Sequence, residues 1–347
     1  MEDLLPKDNE NIPLLDDGPL APSEPQGFKL DEMVRCEQCL RANPPIRSNC
    51  LYCGEPLPLN EKTAELQRPT LRRLEKWESG YNNILIAKKE VVFSESLIAE
   101  AALLLKLNAE TLAKILRASK PLPVARAATY EEASLVQRRL ETFGLTTMVI
   151  PDAELSGPGR AARVRGLQIG EDGVQAAPLL DSQTPFINWK DLLLLVTGRL
   201  VTRRVEVKER KGGSENEILD ASELFADEAV VDLYTSSQTW RMTANSFDFS
   251  CLADEKTLIA GENFSRMLRL LCRQAPGAVF EDSYNSLRAA LEPVWPAEQQ
   301  VESRGWRRER PGKVSLGAAA ETNNELQFTR YSRLAFYLST KWSERTE

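Results

Sequence analysis

The sequence contains no histidine among its 347 residues. Without imidazole, a serine or cysteine triad has no histidine base, a zinc site has no histidine ligand, and a proton relay has no histidine shuttle. The sequence also has no glycine-rich phosphate-binding loop and no nucleophile elbow. We therefore expect a protein that is not an enzyme.

The sequence also has no long apolar run, and its first residues do not have the pattern of a signal peptide. The longest apolar candidate, residues 192–196, is far shorter than the roughly 20 residues that a membrane-spanning helix needs. Met1 is followed by Glu2 and Asp3, and not by a basic region and an apolar core. The net charge of -7 gives no overall attraction to nucleic acid or to an anionic membrane. These features predict a cytoplasmic protein without a membrane span.

Cysteine is scarce, with six residues, but four of them are closely spaced. Cys36 and Cys39 form one CxxC pair, and Cys50 and Cys53 form a second pair after ten intervening residues. The two sulfurs of a CxxC pair converge in a knuckle, and two knuckles complete a tetrahedron of thiolates about 2.3 Å from a metal ion. This spacing resembles the four-cysteine knuckles of zinc ribbons and rubredoxins. It predicts a structural Zn²⁺ site, with iron as the alternative metal.

The predicted site is closed. Four thiolates leave no open coordination position, so the metal is expected to be structural and not catalytic. Metal binding supplies folding energy that about 30 residues can hardly obtain from burial alone. Gly54, directly after the second pair, fits a positive φ at a knuckle exit, whereas Leu40 has the matching place after the first pair. Two disulfides are the alternative interpretation, which a cytoplasmic location disfavours.

The other two cysteines, Cys251 and Cys272, are far apart in the sequence and have apolar neighbours. Free cysteine is among the residue types most often buried. We therefore expect both side chains in a core. A reactive or redox role for either thiol is the alternative.

Composition and apolar periodicity divide the chain into six segments, which together predict an α+β multidomain fold. Proline and acids dominate the first segment, so it cannot bury enough apolar surface to fold. The six segments are a disordered acidic tail (1–27), the zinc ribbon (28–59), a charged linker (60–80), an α/β domain (81–155), a β-rich domain closed by a helix (161–295), and a polar loop with a C-terminal helix (296–347).

Segment 81–155 predicts the element order β-α-α-β-α-β, with strands at 83–87, 124–127 and 146–150. Ser94, Asn108 and Thr129 suit the N-caps of its three helices, and Gly144 suits the end of the third. This order, with two successive helices after the first strand, resembles the fold shared by the C-terminal domain of the ribosomal stalk protein and the ClpS adaptor of bacterial proteolysis. The resemblance covers about 70 residues and implies a protein-binding domain.

Two departures from these families limit what the resemblance implies. ClpS adaptors are expected to use a histidine in the pocket that reads N-terminal residues, and this chain has none. The stalk domain has a glycine-containing turn between its first two helices, where this chain has Leu107, Asn108 and Ala109. No functional residue of either family is therefore carried over.

Segment 161–295 predicts two hairpins, at 164–180 around Gly170 and Gly173, and at 230–243. The other predicted elements are strands at 186–189, 192–196 and 200–207, a polar loop at 208–217, and a helix at 263–273. A β-rich unit closed by a helix resembles a PH-like domain or a small barrel. After it, the sequence predicts a loop at 296–317 and a helix at 326–338.

A basic cluster lies in the predicted loop at 296–317. Its interleaved charges and aromatic ring suit contacts to phosphates and bases, although a solvated loop has the same composition. A second basic stretch, with Arg199, Arg203 and Arg204, lies on a predicted strand. The residues of the basic cluster are Arg304, Trp306, Arg307, Arg308, Arg310 and Lys313.

These features favour a noncatalytic zinc-ribbon adaptor or regulatory protein that mediates protein–protein interactions. The alternative function is association with nucleic acid or the ribosome through the zinc ribbon and the basic cluster. An enzyme that uses Cys251 or Cys272 is the third hypothesis. The sequence predicts a protein partner without identifying it, and it leaves the oligomeric state open.

Overall fold

The computed structural model describes residues 28–29, 32–58, 69–75, 77–86, 93–178, 185–211, 216–310 and 313–342. The predicted acidic tail, residues 1–27, lies outside the described residues, as do residues 60–68 of the predicted linker. The chain divides into two compact units, Met1–Gln67 and Arg68–Glu347.

The described part of the first unit is built from two knuckles. Strand β1 (Val34–Arg35) pairs antiparallel with β2 (Ala42–Asn43) around the first knuckle, and a bridge between Asn49 and Pro56 closes the second. The core of this unit consists of Val34, Leu57 and the buried cysteines. So little apolar surface is buried that packing alone cannot offset the entropy of ordering the chain.

The second unit begins with the predicted β-α-α-β-α-β order. The predicted caps are confirmed, because the side chains of Ser94, Asn108 and Thr129 each accept a hydrogen bond from the backbone amide three residues later. Strand β3 lies between β4 and β5 and is antiparallel to both. The elements are β3 (Tyr81–Leu85), α1 (Glu95–Leu105), α2 (Ala109–Ala118), β4 (Leu122–Ala127), α3 (Tyr130–Thr142) and β5 (Thr147–Pro151).

The rest of the second unit contains a nine-stranded sheet. Its strands are β6 (Ala162–Ile169), β7 (Gly173–Pro178), β8 (Phe186–Asn188), β9 (Leu194–Lys211), β10 (Asn216–Tyr234), β11 (Thr239–Thr243), β12 (Val279–Glu281), β13 (Glu298–Arg310) and β14 (Lys313–Asn323). The main path of the sheet runs β13-β14-β9-β10-β11-β6-β7-β8, and β12 pairs with β9. Both predicted hairpins, β6–β7 and β10–β11, are confirmed.

Three α-helices accompany this sheet: α4 (Ala260–Gln274), α5 (Tyr284–Leu291) and α6 (Glu325–Tyr337). Helices α4 and α6 confirm the helices predicted at 263–273 and 326–338. Within the described part of the chain, no helix has the length and apolarity to cross a membrane. The short helical turns are Glu154–Ser156, Trp189–Asp191, Ala244–Ser246, Phe249–Glu255 and the π-helical Leu338–Trp342.

Strand β9 is longer than the sequence predicts. Its 18 residues include positions 194–196 of the first strand predicted there and all of the strand predicted at 200–207. The loop predicted at 208–217 is wrong at 208–211 and 216–217, which belong to the paired strands β9 and β10, and positions 212–215 lie outside the described residues. Gly198 lies between the two predicted strands. A Cβ there would lie 2.7 Å from Tyr284 Cδ1 and 2.8 Å from Phe328 Cε2, so the glycine lets two rings approach an unbroken strand.

The loop predicted at 296–317 is also wrong. Strands β13 and β14 form an antiparallel hairpin there, and β14 pairs with β9 from Ser315 to Asn323. Ladder hydrogen bonds join main-chain groups, so a strand with a polar sequence can pair as well as an apolar one. The polar composition of the segment therefore did not indicate its backbone conformation.

Residues 81–155 share one core with the strands and helices that follow. Buried side chains of the first region, such as Ile84 and Leu112, belong to the same apolar cluster as Leu194, Trp295 and Phe328. A buried hydrogen bond also joins the regions, because the Trp295 indole donates to the Asn82 side-chain oxygen at 2.9 Å. The two parts of the second unit are therefore packed together.

A buried ion pair lies between the sheet and α6. Asp232 on β10 accepts two hydrogen bonds from Arg241 on β11, at 2.7 and 2.8 Å, and both side chains are at most 5% exposed. Ser332 on α6 donates to the same carboxylate at 2.7 Å. These contacts satisfy both charges in a buried region, where an unpaired charge would be costly.

Candidate metal centre

The structure brings together the four cysteines that the sequence singles out. All four sulfurs lie within 4.8 Å of one another, and the pairs Cys36–Cys53 and Cys39–Cys50 are each 3.5 Å apart. A tetrahedral site with metal–sulfur bonds of about 2.3 Å requires sulfurs about 3.8 Å apart, whereas a disulfide requires about 2.05 Å. This donor set therefore fits one metal ion and not two disulfides.

The two knuckles have the same backbone pattern. The amide of Cys36 donates to Arg41 O at 2.9 Å, and the amide of Cys50 donates to Glu55 O at 2.7 Å. Each knuckle ends on a residue with positive φ, which is 77° at Gly54, as predicted, and 61° at Leu40. Because a left-handed conformation is unfavourable for a residue with a Cβ, Leu40 is a strained position.

Asn43 is a member of this site that the sequence does not reveal. Its amide nitrogen donates to Cys50 Sγ at 3.4 Å and to Arg41 O at 3.0 Å, while its oxygen accepts from the Leu51 amide at 2.8 Å. The side chain is completely buried. It therefore fixes one knuckle to the other and supplies a donor to a candidate ligand. Its sequence context does not distinguish it from a loop asparagine.

The protonation of the thiols indicates why this cluster suits a cation. Burial disfavours the Cys50 thiolate, but hydrogen bonds from the Tyr52 and Cys53 amides and from Asn43 outweigh burial and lower the pKa of Cys50 to about 6. At Cys53 a bond from the Glu55 amide lowers the pKa, but burial and the neighbouring thiols raise it to about 12. Four adjacent thiolates repel one another, and a metal ion removes that repulsion.

Large apolar side chains around the knuckles are exposed. Leu40 is 64% exposed and Tyr52 is 56% exposed, and Ile46 and Leu51 are exposed to a similar degree. The guanidinium of Arg41 lies 4.7 Å from the centre of the Tyr52 ring. Among the described residues of this unit, these large apolar side chains are therefore outside the small core.

The sequence predicts Cys251 and Cys272 as buried core residues. Both are instead half-buried, and they pack against the apolar core of the second unit. Burial raises the pKa of each thiol above its ordinary value, which lowers the thiolate fraction. Since the thiolate is the reactive form, these surroundings do not activate either cysteine.

The basic cluster of Arg304, Trp306, Arg307, Arg308, Arg310 and Lys313 lies on β13 and β14, and not in a loop. The pairing of β14 with β9 also brings the backbone of Arg210 beside Ser315, whose other neighbour is Arg307. In the second basic stretch, Arg203 and Arg199 on β9 form ion pairs with acids on β10, and Arg204 pairs with Glu206 and Glu321. That second basic stretch is therefore neutralised within the sheet.

Comparison with known proteins gave no relative. No protein-family model, no curated protein and no solved structure matches this chain. The predicted resemblances to the stalk and ClpS domains and to PH-like domains gain no support from these comparisons and stay predictions.

Proposed function

We propose that this protein is a noncatalytic adaptor whose four-cysteine ribbon binds one structural Zn²⁺ ion and presents an apolar surface to a protein partner. The observation that carries the proposal is the coincidence of a closed four-sulfur cluster with exposed apolar side chains on the same small unit. A closed site has no position for a substrate, whereas an apolar patch excludes water when a partner covers it.

The identity of the metal is tested on the full-length protein. Elemental analysis should find about one zinc per chain. The variant with Cys39 and Cys50 both changed to Ser should lose the metal, because it removes two of four ligands. Cys251→Ser is the matched control and should keep the metal. Stoichiometric iron with the absorption of an iron–thiolate site would replace zinc, and no metal in any preparation would contradict the site.

The binding surface is tested with variants that leave the metal in place. Leu51→Ser and Tyr52→Ser change exposed side chains, so zinc content should stay constant while a partner recovered with the wild-type protein is lost. Leu103→Ser, at an 80% exposed position on α1, is the control for a general loss of apolar surface. A partner that binds the ribbon variants and the wild type equally would contradict the proposed surface.

Nucleic-acid binding is the second candidate function, and one observation favours it. The strand register places the basic positions of β13 and β14 beside the positions of Lys208 and Arg210 on β9, so two hairpins contribute basic residues to the same end of the sheet. Filter binding of single-stranded RNA should then fall with salt and with Arg307→Gln plus Arg308→Gln. Lys114→Gln plus Arg117→Gln on α2 is the control of equal charge. Salt-independent or absent binding would reject this function.

A further inference from the structure

A cavity of about 910 Å³ lies in the second unit, and all of its lining residues belong to that unit. Residues 71–75, the end of α1, strand β4, the segment after α5 and the helix α6 all contribute to its wall. Its volume is in the range of about 300–1,000 Å³ that small-molecule sites usually have. Leu74, Leu107, Val294 and Leu326 give part of the wall an apolar character.

Five cationic side chains line the cavity, and three of them have partners. Arg72 pairs with Glu78, Arg126 pairs with Asp152, and the Lys106 ammonium donates to Thr70 O. The two other cations are Arg73 and Arg330. Among the described residues, neither of their guanidinium groups has a hydrogen bond or an ion pair.

Among the described residues, the acidic side chains in the cavity wall form no ion pair with Arg73 or Arg330. Glu292 accepts hydrogen bonds from the Ala297 amide and the Gln327 side chain, and Glu75 is exposed. Glu298 lies near Arg330 and favours its charged form, as Asp152 does. Nevertheless, burial, together with the charge of Arg126, lowers the pKa of Arg330 below its ordinary value.

Arg330 is thus a half-buried cation that has no anionic partner within hydrogen-bonding distance among the described residues. A guanidinium in such a place recognises a phosphate or a carboxylate through two parallel hydrogen bonds. We infer that the cavity binds a small organic oxyanion whose phosphate or carboxylate group pairs with Arg330 and whose apolar part lies against Leu74 and Val294. This site would add a ligand-responsive function to the proposed adaptor, and it does not depend on the metal centre.

The test uses the full chain and three probes of similar size: phenyl phosphate, benzoate and neutral benzyl alcohol. Calorimetry at low salt should show binding of at least one of the two anions and little binding of the alcohol. The preferred anion then identifies the acidic group. If neither anion binds more tightly than benzyl alcohol at millimolar concentration, the inference is overturned.

Variants of α6 assign the binding to Arg330. Arg330→Gln should weaken binding of the preferred anion by about 10- to 100-fold, the usual loss for a charge-assisted hydrogen bond. Arg330→Lys keeps the positive charge but lacks the two parallel N–H donors of the guanidinium, so it should retain part of the affinity. The control is Arg333→Gln on the same helix, which does not line the cavity and should bind as the wild type does.

The melting temperature gives an independent readout. Removing an unpaired, half-buried charge should raise the melting temperature of ligand-free Arg330→Gln above that of the wild type. Added anion should raise it only in the wild type, in Arg333→Gln and, more weakly, in Arg330→Lys. Equal stabilisation of Arg330→Gln by the anion, or a lower melting temperature of that ligand-free variant, would overturn the role of Arg330.

Discussion

Asn43→Ala should weaken zinc binding without removing a ligand. The side chain is fully buried and makes three hydrogen bonds, to Cys50 Sγ, to Arg41 O and from the Leu51 amide. Alanine leaves the part-buried Leu51 amide without its acceptor, which costs at most about 1–3 kcal/mol of folding free energy. The loss of groups that orient metal ligands typically lowers affinity by about 10- to 100-fold, or about 1.4–2.8 kcal/mol. Because metal binding and folding are coupled, both costs weaken zinc binding.

The assay is competition for zinc with a chromogenic chelator of known affinity, at fixed pH. Asn49→Ala is the matched control, because Asn49 makes one side-chain hydrogen bond, to Gly54 O at 3.0 Å, and none to a sulfur. We expect that variant to lose no more than about fivefold, the value of one ordinary hydrogen bond. An unchanged affinity for Asn43→Ala, or equal losses in both variants, would refute the role given to Asn43.

Three further predictions concern the second unit. Asp232→Ala leaves Arg241 buried without its partner, so urea unfolding should show a loss of about 3–5 kcal/mol, and the double variant Asp232→Leu, Arg241→Met should lose less. Burial alone would raise the pKa of the Asp152 carboxyl, but hydrogen bonds from Arg126 and Asn82 lower it below the ordinary 3.8. The ionised carboxylate therefore stabilises the fold at pH values above 3.8, and this contribution disappears as the pH falls through the pKa of the folded state. Asp152→Asn should therefore flatten the acid limb of the stability profile, and an unchanged limb would contradict the assignment. Gly198→Ala places a Cβ against two rings and should cost about 1–3 kcal/mol in thermal unfolding; an unaltered stability would mean that the rings can move.

Local chemistry made part of this molecule predictable. Ser94, Asn108 and Thr129 act on amides three residues away, so the helix starts can be located without knowing the tertiary fold. The positive φ of Gly54 and the convergence of the cysteine pairs are local as well. Each of these features depends on a few neighbouring residues.

Features that depend on distant residues were not predictable. The need for glycine at position 198 depends on Tyr284 and Phe328, which pack on it. Asn43 reads as a turn residue until its contact with Cys50 is seen. Arg330 reads as one charge on an amphipathic helix until the cavity wall places it beside Arg126. In each case the deciding partner is remote in sequence, and spacing rules do not reach it.

The composition of the ribbon links its proposed metal to its proposed partner. A unit of this size that depended on burial for folding would need its large apolar side chains inside. Here Val34 and Leu57 are buried with the cysteines, whereas Leu40, Leu51 and Tyr52 are exposed. A metal ion that supplies the folding energy makes those side chains available for a partner. Leu40→Gly tests metal binding and partner binding separately. It relieves the backbone strain at φ 61°, which concerns the metal knuckle, and it removes an exposed side chain that a partner could contact. Zinc affinity should therefore stay constant or rise while partner binding falls, and a parallel loss of both would show that Leu40 supports the fold.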